Sequence, residues 1–338
     1  MASVTLKDLA DQLKLSVSTV SRALNDSHEI SEKTKALVRR FAHEMNYSPN
    51  LVAQSLKLGR TNIIGLIVPN LISSFQMQLL EGVQQGAILN NKSLIFMQSR
   101  ENPKEEQKCI NTLMQQNVDG IIISPCANSS IKFLSKTNEQ IPLVLIDRID
   151  YDLPCHRVGV DSERGAFEAT KNLLHFGRKN ILVLTGKNIG VSSKRLAGYK
   201  KAFMEAGLDY QPENVLQVDY ELNPKDFQSH LKSILLKKLN QTTFPCAILS
   251  LTDNLTVYTL EILLKAGFRI PEQVRLVGFS NLSYAESFNP TLSSIVQPAI
   301  DMGQMAVKYL IDSITNKDFP PVNPKTTILS PKVFFRQS

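Results

Sequence analysis

Residues 5–25 read TLKDLADQLKLSVSTVSRALN, two helical periodicities with three residues between them. Thr5 and Asp8 have the spacing of a capping box, and Leu6, Leu9, Ala10 and Leu13 follow at i, i+3, i+4 and i+7, which predicts a short amphipathic helix. Lys14-Leu15-Ser16 breaks the pattern, and Ser16 is a good N-cap for a second helix in which Val20 and Leu24 stand at i and i+4. That second helix is rich in hydroxyls and β-branched side chains, so its propensity is mediocre. Its wheel gathers Ser18, Ser21, Arg22 and Asn25 on the face opposite Val20 and Leu24. Ser31 can cap a third helix whose Leu37, Val38, Phe41 and Met45 share a stripe, with Arg39 and Arg40 turned away. Three short helices with a tight turn between the first two predict a helix-turn-helix, whose second helix enters the DNA major groove. Small hydroxyls permit close approach, and Arg22 has the fork that matches guanine O6 and N7.

The chain's 338 residues exceed one ordinary domain, and 43% apolar with 20% charged residues is a normal soluble balance. No run of 18 apolar residues occurs, and the opening MASVTLKDLADQL carries acids where a signal peptide needs an apolar core, which predicts a cytoplasmic protein without a membrane partner. Four cysteines without CxxC spacing predict buried thiols, with neither a zinc site nor a disulfide framework. Of the net charge of +7, residues 1–60 supply +3, with nine lysines and arginines against six acids. This bias permits nucleic-acid binding without proving it. The five histidines are scattered, with no H-E-x-x-H, G-x-S-x-G or paired-acid motif, so no enzyme, metal site or cofactor is expected. His156 is expected to be a polar residue at a lobe boundary.

From Asn62 onward the pattern changes. NIIGLIV, SLIFMQ, VDGIIIS, PLVLID, NILVLT, CAILSL and VRLVGF read as buried parallel strands, with amphipathic stretches between several of them. Such alternation predicts doubly wound α/β sheets, and residues 62–338 are long enough for two lobes. No GxGxxG or GxxxxGK[ST] phosphate cradle is present. Ligands of open α/β sheets bind beyond the carboxyl ends of the strands. This rule selects Phe75 and Gln76, Asp147 and Arg148, Asp161, Thr252 and Asp253, and Ser280 and Asn281. Arg195 opens a helix after Ser192-Ser193, where a cation opposes the helix dipole, so ligand contact explains it better than helix stability does.

VTLKDLADQLKLSVSTVSRALND at 4–26 and ISEKTKALVRRFAHEMNYSPNLVAQSLKLGRTNIIGLIVPN at 30–70 resemble the N-terminus of the lac-repressor family of bacterial transcription regulators. The resemblance continues in order through RLAGYKKAFMEAGL at 195–208, TDN at 252–254, AGFRIPEQVRLVGFSN at 266–281 and SSIVQPAIDMGQMAVKYLID at 293–312. It implies a helix-turn-helix domain over residues 1–48, a hinge helix and linker over 49–61, and a two-lobed periplasmic-binding-protein-like core over 62–338. Lobe crossings are placed near 160, 290 and 323, giving lobe 1 residues 62–160 and 293–323, and lobe 2 residues 161–290 and 324–338. The implied DNA-binding residues are Thr5, Ser16, Val17, Ser18, Thr19, Ser21, Arg22, Asn25, Tyr47, Asn50, Ala53, Leu56 and Lys57, with Leu56 as a minor-groove wedge and Val52 facing a partner hinge. The implied effector residues are Phe75, Gln76, Arg148, Asp161, Arg195, Thr252, Asp253 and Ser280. Two departures stand out. Lys14 occupies a turn position where the family often has glycine, and Ser280 replaces a frequent aspartate, which loses a bidentate acceptor. The resemblance implies a homodimeric repressor on a palindromic operator, controlled by a small-molecule effector. A sugar or sugar derivative leads, with a purine or a partner protein as alternatives.

Overall fold

The structure is a computed structural model that describes residues 4–47, 60–187, 190–219 and 224–338. The chain divides into two compact units, residues 1–61 and 62–338.

In the first unit, α1 (Leu6–Leu13) begins at Thr5, whose hydroxyl and Asp8 complete the capping box. Lys14 closes the helix at φ 52°, the left-handed conformation that explains a glycine preference there. The second helix, α2 (Val17–Leu24), is capped by Ser16 and α3 (Glu32–Glu44) by Ser31. Leu9, Ala10, Val20, Ala23, Val38 and Ala42 form the core. The α3 stripe is rotated from its sequence prediction: Leu37 is exposed and Ala42 buried.

The second unit holds two six-stranded sheets. Lobe 1 contains β1 (Ile63–Val68), β2 (Ser93–Gln98), β3 (Gly120–Ile123), β4 (Leu143–Ile146), β5 (His156–Val160) and β11 (Thr326–Leu329), in the order β11-β5-β4-β3-β1-β2 and parallel throughout. Helices α4 (Ser74–Leu89) and α11 (Ala299–Asn316) cover one face, and α5 (Pro103–Gln115) and α6 (Ile131–Asn138) the other. Lobe 2 contains β6 (Ile181–Gly186), β7 (Val215–Val218), β8 (Cys246–Ser250), β9 (Val274–Phe279), β10 (Ser293–Val296) and β12 (Lys332–Phe334), in the order β12-β10-β9-β8-β6-β7, with only β12 antiparallel to its neighbour. Its layers are α7 (Ser162–His175) and α8 (Gly190–Glu205) on one face, and α9 (Pro224–Leu239) and α10 (Asp253–Lys265) on the other. Central strands are buried on both faces, which is why they read as continuous apolar runs.

Two lobe crossings differ from their sequence placement. Strand β10 pairs with β9, so the chain leaves lobe 2 after Val296 and not near 290. Strand β11 pairs with β5, so the chain returns after Leu329 and not near 323. The physical reason is common to both: the chain completes a strand before crossing, because the crossing lies at the strands' carboxyl ends. At Gly198 a Cβ would lie 2.0 Å from Glu163 O, so glycine lets α8 approach α7 closely and brings Arg195 beside Ser162.

Candidate functional site

In the first unit, α2 buries Val20 and Ala23 and presents Ser16, Val17, Ser18, Arg22 and Asn25 to solvent, while Thr19 and Ser21 are half-buried. Ser16 Oγ accepts from Thr19 N–H at 3.1 Å and lies 2.8 Å from both Ser18 Oγ and Thr19 Oγ1, so the hydroxyls form one cluster at the helix start. Asn25 Nδ2 donates to Ser21 O at 2.9 Å. Thr5 is exposed at the start of α1, and Tyr47 packs against the core, where burial raises its phenol pKa. Asn50, Val52, Ala53, Leu56 and Lys57 lie outside the described residues. Lys35, though basic, is buried and held by Asp26 at 3.0 Å and Glu32 at 2.8 Å.

In the second unit, a cavity of about 300 Å³ opens between the lobes at the carboxyl ends of both sheets' strands. Phe75, Gln76, Arg148, Arg195, Thr252 and Asp253 line it, six of the eight expected effector residues. Asp161 does not: its side chain caps α7 by accepting from Arg164 N–H at 2.9 Å, and it lines an outer groove with Glu163 and Lys201. A residue after a strand is as often the cap of the next helix as a ligand contact. Ser280 is also absent from the lining. It is buried behind Asp253 and donates to Asp253 Oδ1 at 2.9 Å.

Asp253 joins the lobes. Its Oδ2 accepts from Ser74 N–H at 3.0 Å, at the N-terminus of α4 in lobe 1. Burial raises its carboxyl pKa, opposed by the Ser280 hydroxyl and by backbone N–H groups including Ser74, Phe75 and Asn281. Asn281 Nδ2 donates to Gln78 Oε1 at 2.8 Å and to Gln297 O at 2.7 Å, and Gln78 Nε2 donates to Asn281 O at 2.8 Å. The arginines are also anchored. Arg195 lies 3.7 Å from the Phe279 ring centroid and donates to Leu251 O at 2.5 Å and Gln297 Oε1 at 2.8 Å. Arg148 makes a two-pronged ion pair with Glu101, with Nη1 2.7 Å from Oε2. Asp147 is raised in pKa by burial, opposed by the charges of Arg148 and Arg195.

Two residues that line the cavity each hold a buried atom with no hydrogen-bond partner among the described residues, Gln76 Oε1 and Arg148 Nε. One is an acceptor and the other a donor. Glu101 and Asp147 line the cavity at φ 55° and 64°, left-handed backbone that non-glycine residues adopt at a cost and that concentrates at functional sites. Glu101, Asn128, Lys187 and Gln297 also line the cavity but were not among the expected residues. Gln297 directly follows β10, so recognising SSIV as a strand would have selected it. Among the described residues, no group of three or more His, Cys, Asp or Glu side chains could hold a metal ion, and no helix is long and apolar enough to cross a membrane.

Residues 5–50 match the family described as bacterial regulatory proteins, lacI family, and residues 61–333 match periplasmic binding proteins and the sugar binding domain of the LacI family. The chain is 31% identical over 335 residues to the ribose operon repressor of Haemophilus influenzae, covering 99% of this chain and 98% of that one. It is 29% identical over 319 residues to the HTH-type transcriptional repressor PurR of Aliivibrio fischeri, covering 93% of each. Among solved structures, the lac repressor dimer bound to operator and the anti-inducer ONPF shares the fold with a TM-score of 0.84 at 22% identity, over 99% of both chains. With both parts of the family architecture matched along nearly its whole length, the chain belongs to the LacI family of DNA-binding transcription regulators.

Proposed function

We propose that this regulator is a cytoplasmic homodimeric repressor, without catalytic activity, that binds a palindromic operator through α2 and releases or tightens it when a sugar or sugar derivative occupies the interlobe cavity. The observation that carries the effector class is the polar wall of the cavity, in which Gln76, Glu101, Asn128, Arg148, Asp253 and Gln297 bring both donors and acceptors together. A polyhydroxylated ligand supplies both a donor and an acceptor there, and the Phe75 ring offers a flat apolar surface. Arg195 lines the same wall and holds Gln297 Oε1 in it with its guanidinium. One relative is named for a ribose operon, in keeping with a sugar.

Dimerisation is supported by symmetry, since two-fold proteins match palindromic half-sites. It is also supported by the exposed apolar side chains Met77, Ile88 and Leu89 on α4 and Phe96 on the edge strand β2. The test is direct. The full chain selects its operator from a random duplex library, and a panel of pentoses, hexoses and purines, starting with ribose, is titrated calorimetrically. Binding of a sugar and none of the purines supports the reading, and the reverse replaces it.

A further inference from the structure

Among the described residues, the reading helix bears one ion pair on its exposed face. Arg22 Nη1 donates to Glu29 Oε2 at 2.6 Å, with both side chains about half exposed. Glu29 belongs to the connection between α2 and α3, not to the helix. That connection is ordered: Ser27 N–H donates to Arg22 O, Glu29 N–H to Ser27 Oγ and Ile30 N–H to Ser27 O, and Ile30 packs against the helical core. The carboxylate is thereby held beside the last turn of α2. The other acid of the connection, Asp26, is committed to Lys35 and Arg39.

An exposed ion pair adds little to stability, so its consequence lies in binding. A guanidinium offers five N–H donors in one plane. Glu29 takes one, while Nε and Nη2 have no partner among the described residues and remain available to guanine O6 and N7. A phosphate oxygen offers Arg22 only what Glu29 already gives, an anionic acceptor. The carboxylate is itself repelled by the DNA backbone.

We infer that Glu29 determines operator specificity: it aims Arg22 at a guanine edge and cancels the attraction of Arg22 for phosphate, lowering affinity for unrelated DNA more than for operator. The inference rests on the proposed role of α2 as the reading helix. Its test uses the full chain with Glu29→Gln, Arg22→Ala and the double variant. Two duplexes serve as probes, the one enriched by the wild-type chain from a random library and a scrambled sequence of the same composition. Glu29→Gln tightens binding to the scrambled duplex about fivefold, the upper end for an exposed ion pair, and leaves operator affinity within about twofold. The salt dependence on scrambled DNA steepens by about one released counterion. Neither change appears when Arg22 is already alanine. Equal tightening on both duplexes, or tightening that persists without Arg22, overturns the inference and leaves Glu29 a diffuse negative charge. Arg22→Ala alone separates the two claims, because it weakens operator binding about tenfold or more and spares scrambled DNA if Arg22 reads a base. A uniform loss overturns the guanine contact, and the inference with it.

Discussion

Ser280 Oγ donates to Asp253 Oδ1 at 2.9 Å, and the other oxygen of that carboxylate accepts from Ser74 N–H in the opposite lobe at 3.0 Å. The serine that departs from the family's frequent aspartate thus holds an interlobe carboxylate in place instead of lining the cavity. Ser280→Ala removes one donor from a buried carboxylate and should lower unfolding free energy in urea by about 1–3 kcal/mol. Ser280→Asp sets two carboxylates side by side. The folded pair then holds a proton that the unfolded chain releases, so its folded pKa is raised and the stability deficit grows as pH rises from 5 to 8. A deficit independent of pH would refute direct contact between the two positions.

A substitution at Gln76 should separate ligand binding from folding. Its Oε1 is buried without a partner among the described residues, so Gln76→Met removes no hydrogen bond from that atom. Thermal stability should stay level or rise, while effector affinity falls about tenfold through loss of a buried hydrogen bond. Calorimetric titration alongside thermal melts reads both, and unchanged effector affinity would take Gln76 out of the site.

The helical unit was legible because its caps are local. Thr5, Ser16 and Ser31 each bond within three residues, so spacing alone reveals them. The central strands were legible because burial on both faces leaves unbroken apolar runs. The lobe crossings were less so: Ser293–Val296 and Thr326–Leu329 are short, hydroxyl-rich strands, and only pairing with β9 and β5 assigns them to a lobe. For the cavity, position after a strand identified the neighbourhood but not the direction of the side chain. Arg195 and Asp253 line the cavity, Asp161 turns to cap its own helix, and Ser280 turns behind Asp253. Glu101 was missed because its place depends on an ion pair with Arg148, 47 residues away.

His156 gives lobe 1 a pH dependence. Its Nδ1 accepts from Lys325 N–H at 2.9 Å beside β11, and its ring lies 5.1 Å from that of Tyr309. Burial, then the Lys325 charge, lowers its pKa below the ordinary 6.5, against smaller opposing effects of Asp318 and Asp312. A histidine kept neutral in the fold but protonated when unfolded costs stability as pH falls from the unfolded value toward the folded one. Acidification below about pH 6.5 should therefore destabilise the wild type more than His156→Gln, as measured by melts across pH 5 to 8. Parallel profiles would show that the ring titrates alike in both states.

Leu56 lies outside the described residues, and its proposed role, in a proposed hinge, is to wedge between base steps. Unstacking costs a few kcal/mol per step and is offset by the contacts a bent duplex allows. Leu56→Ala should weaken operator binding and reduce DNA bending together, with effector affinity in the absence of DNA unchanged. Wild-type bending in a fluorescence-distance assay would reduce the hinge to a tether.

Communication between the cavity and the operator is the centre of the account. Operator affinity of the full chain, measured by fluorescence anisotropy at fixed salt against increasing concentrations of the sugar found by titration, tests it most directly. The account predicts a shift of about tenfold or more, in either direction, within the usual range of coupling between sites. It also predicts that Gln76→Met moves the response to higher sugar concentration without altering the affinity of the sugar-free protein. A sugar that saturates the cavity while operator affinity stays constant would contradict it.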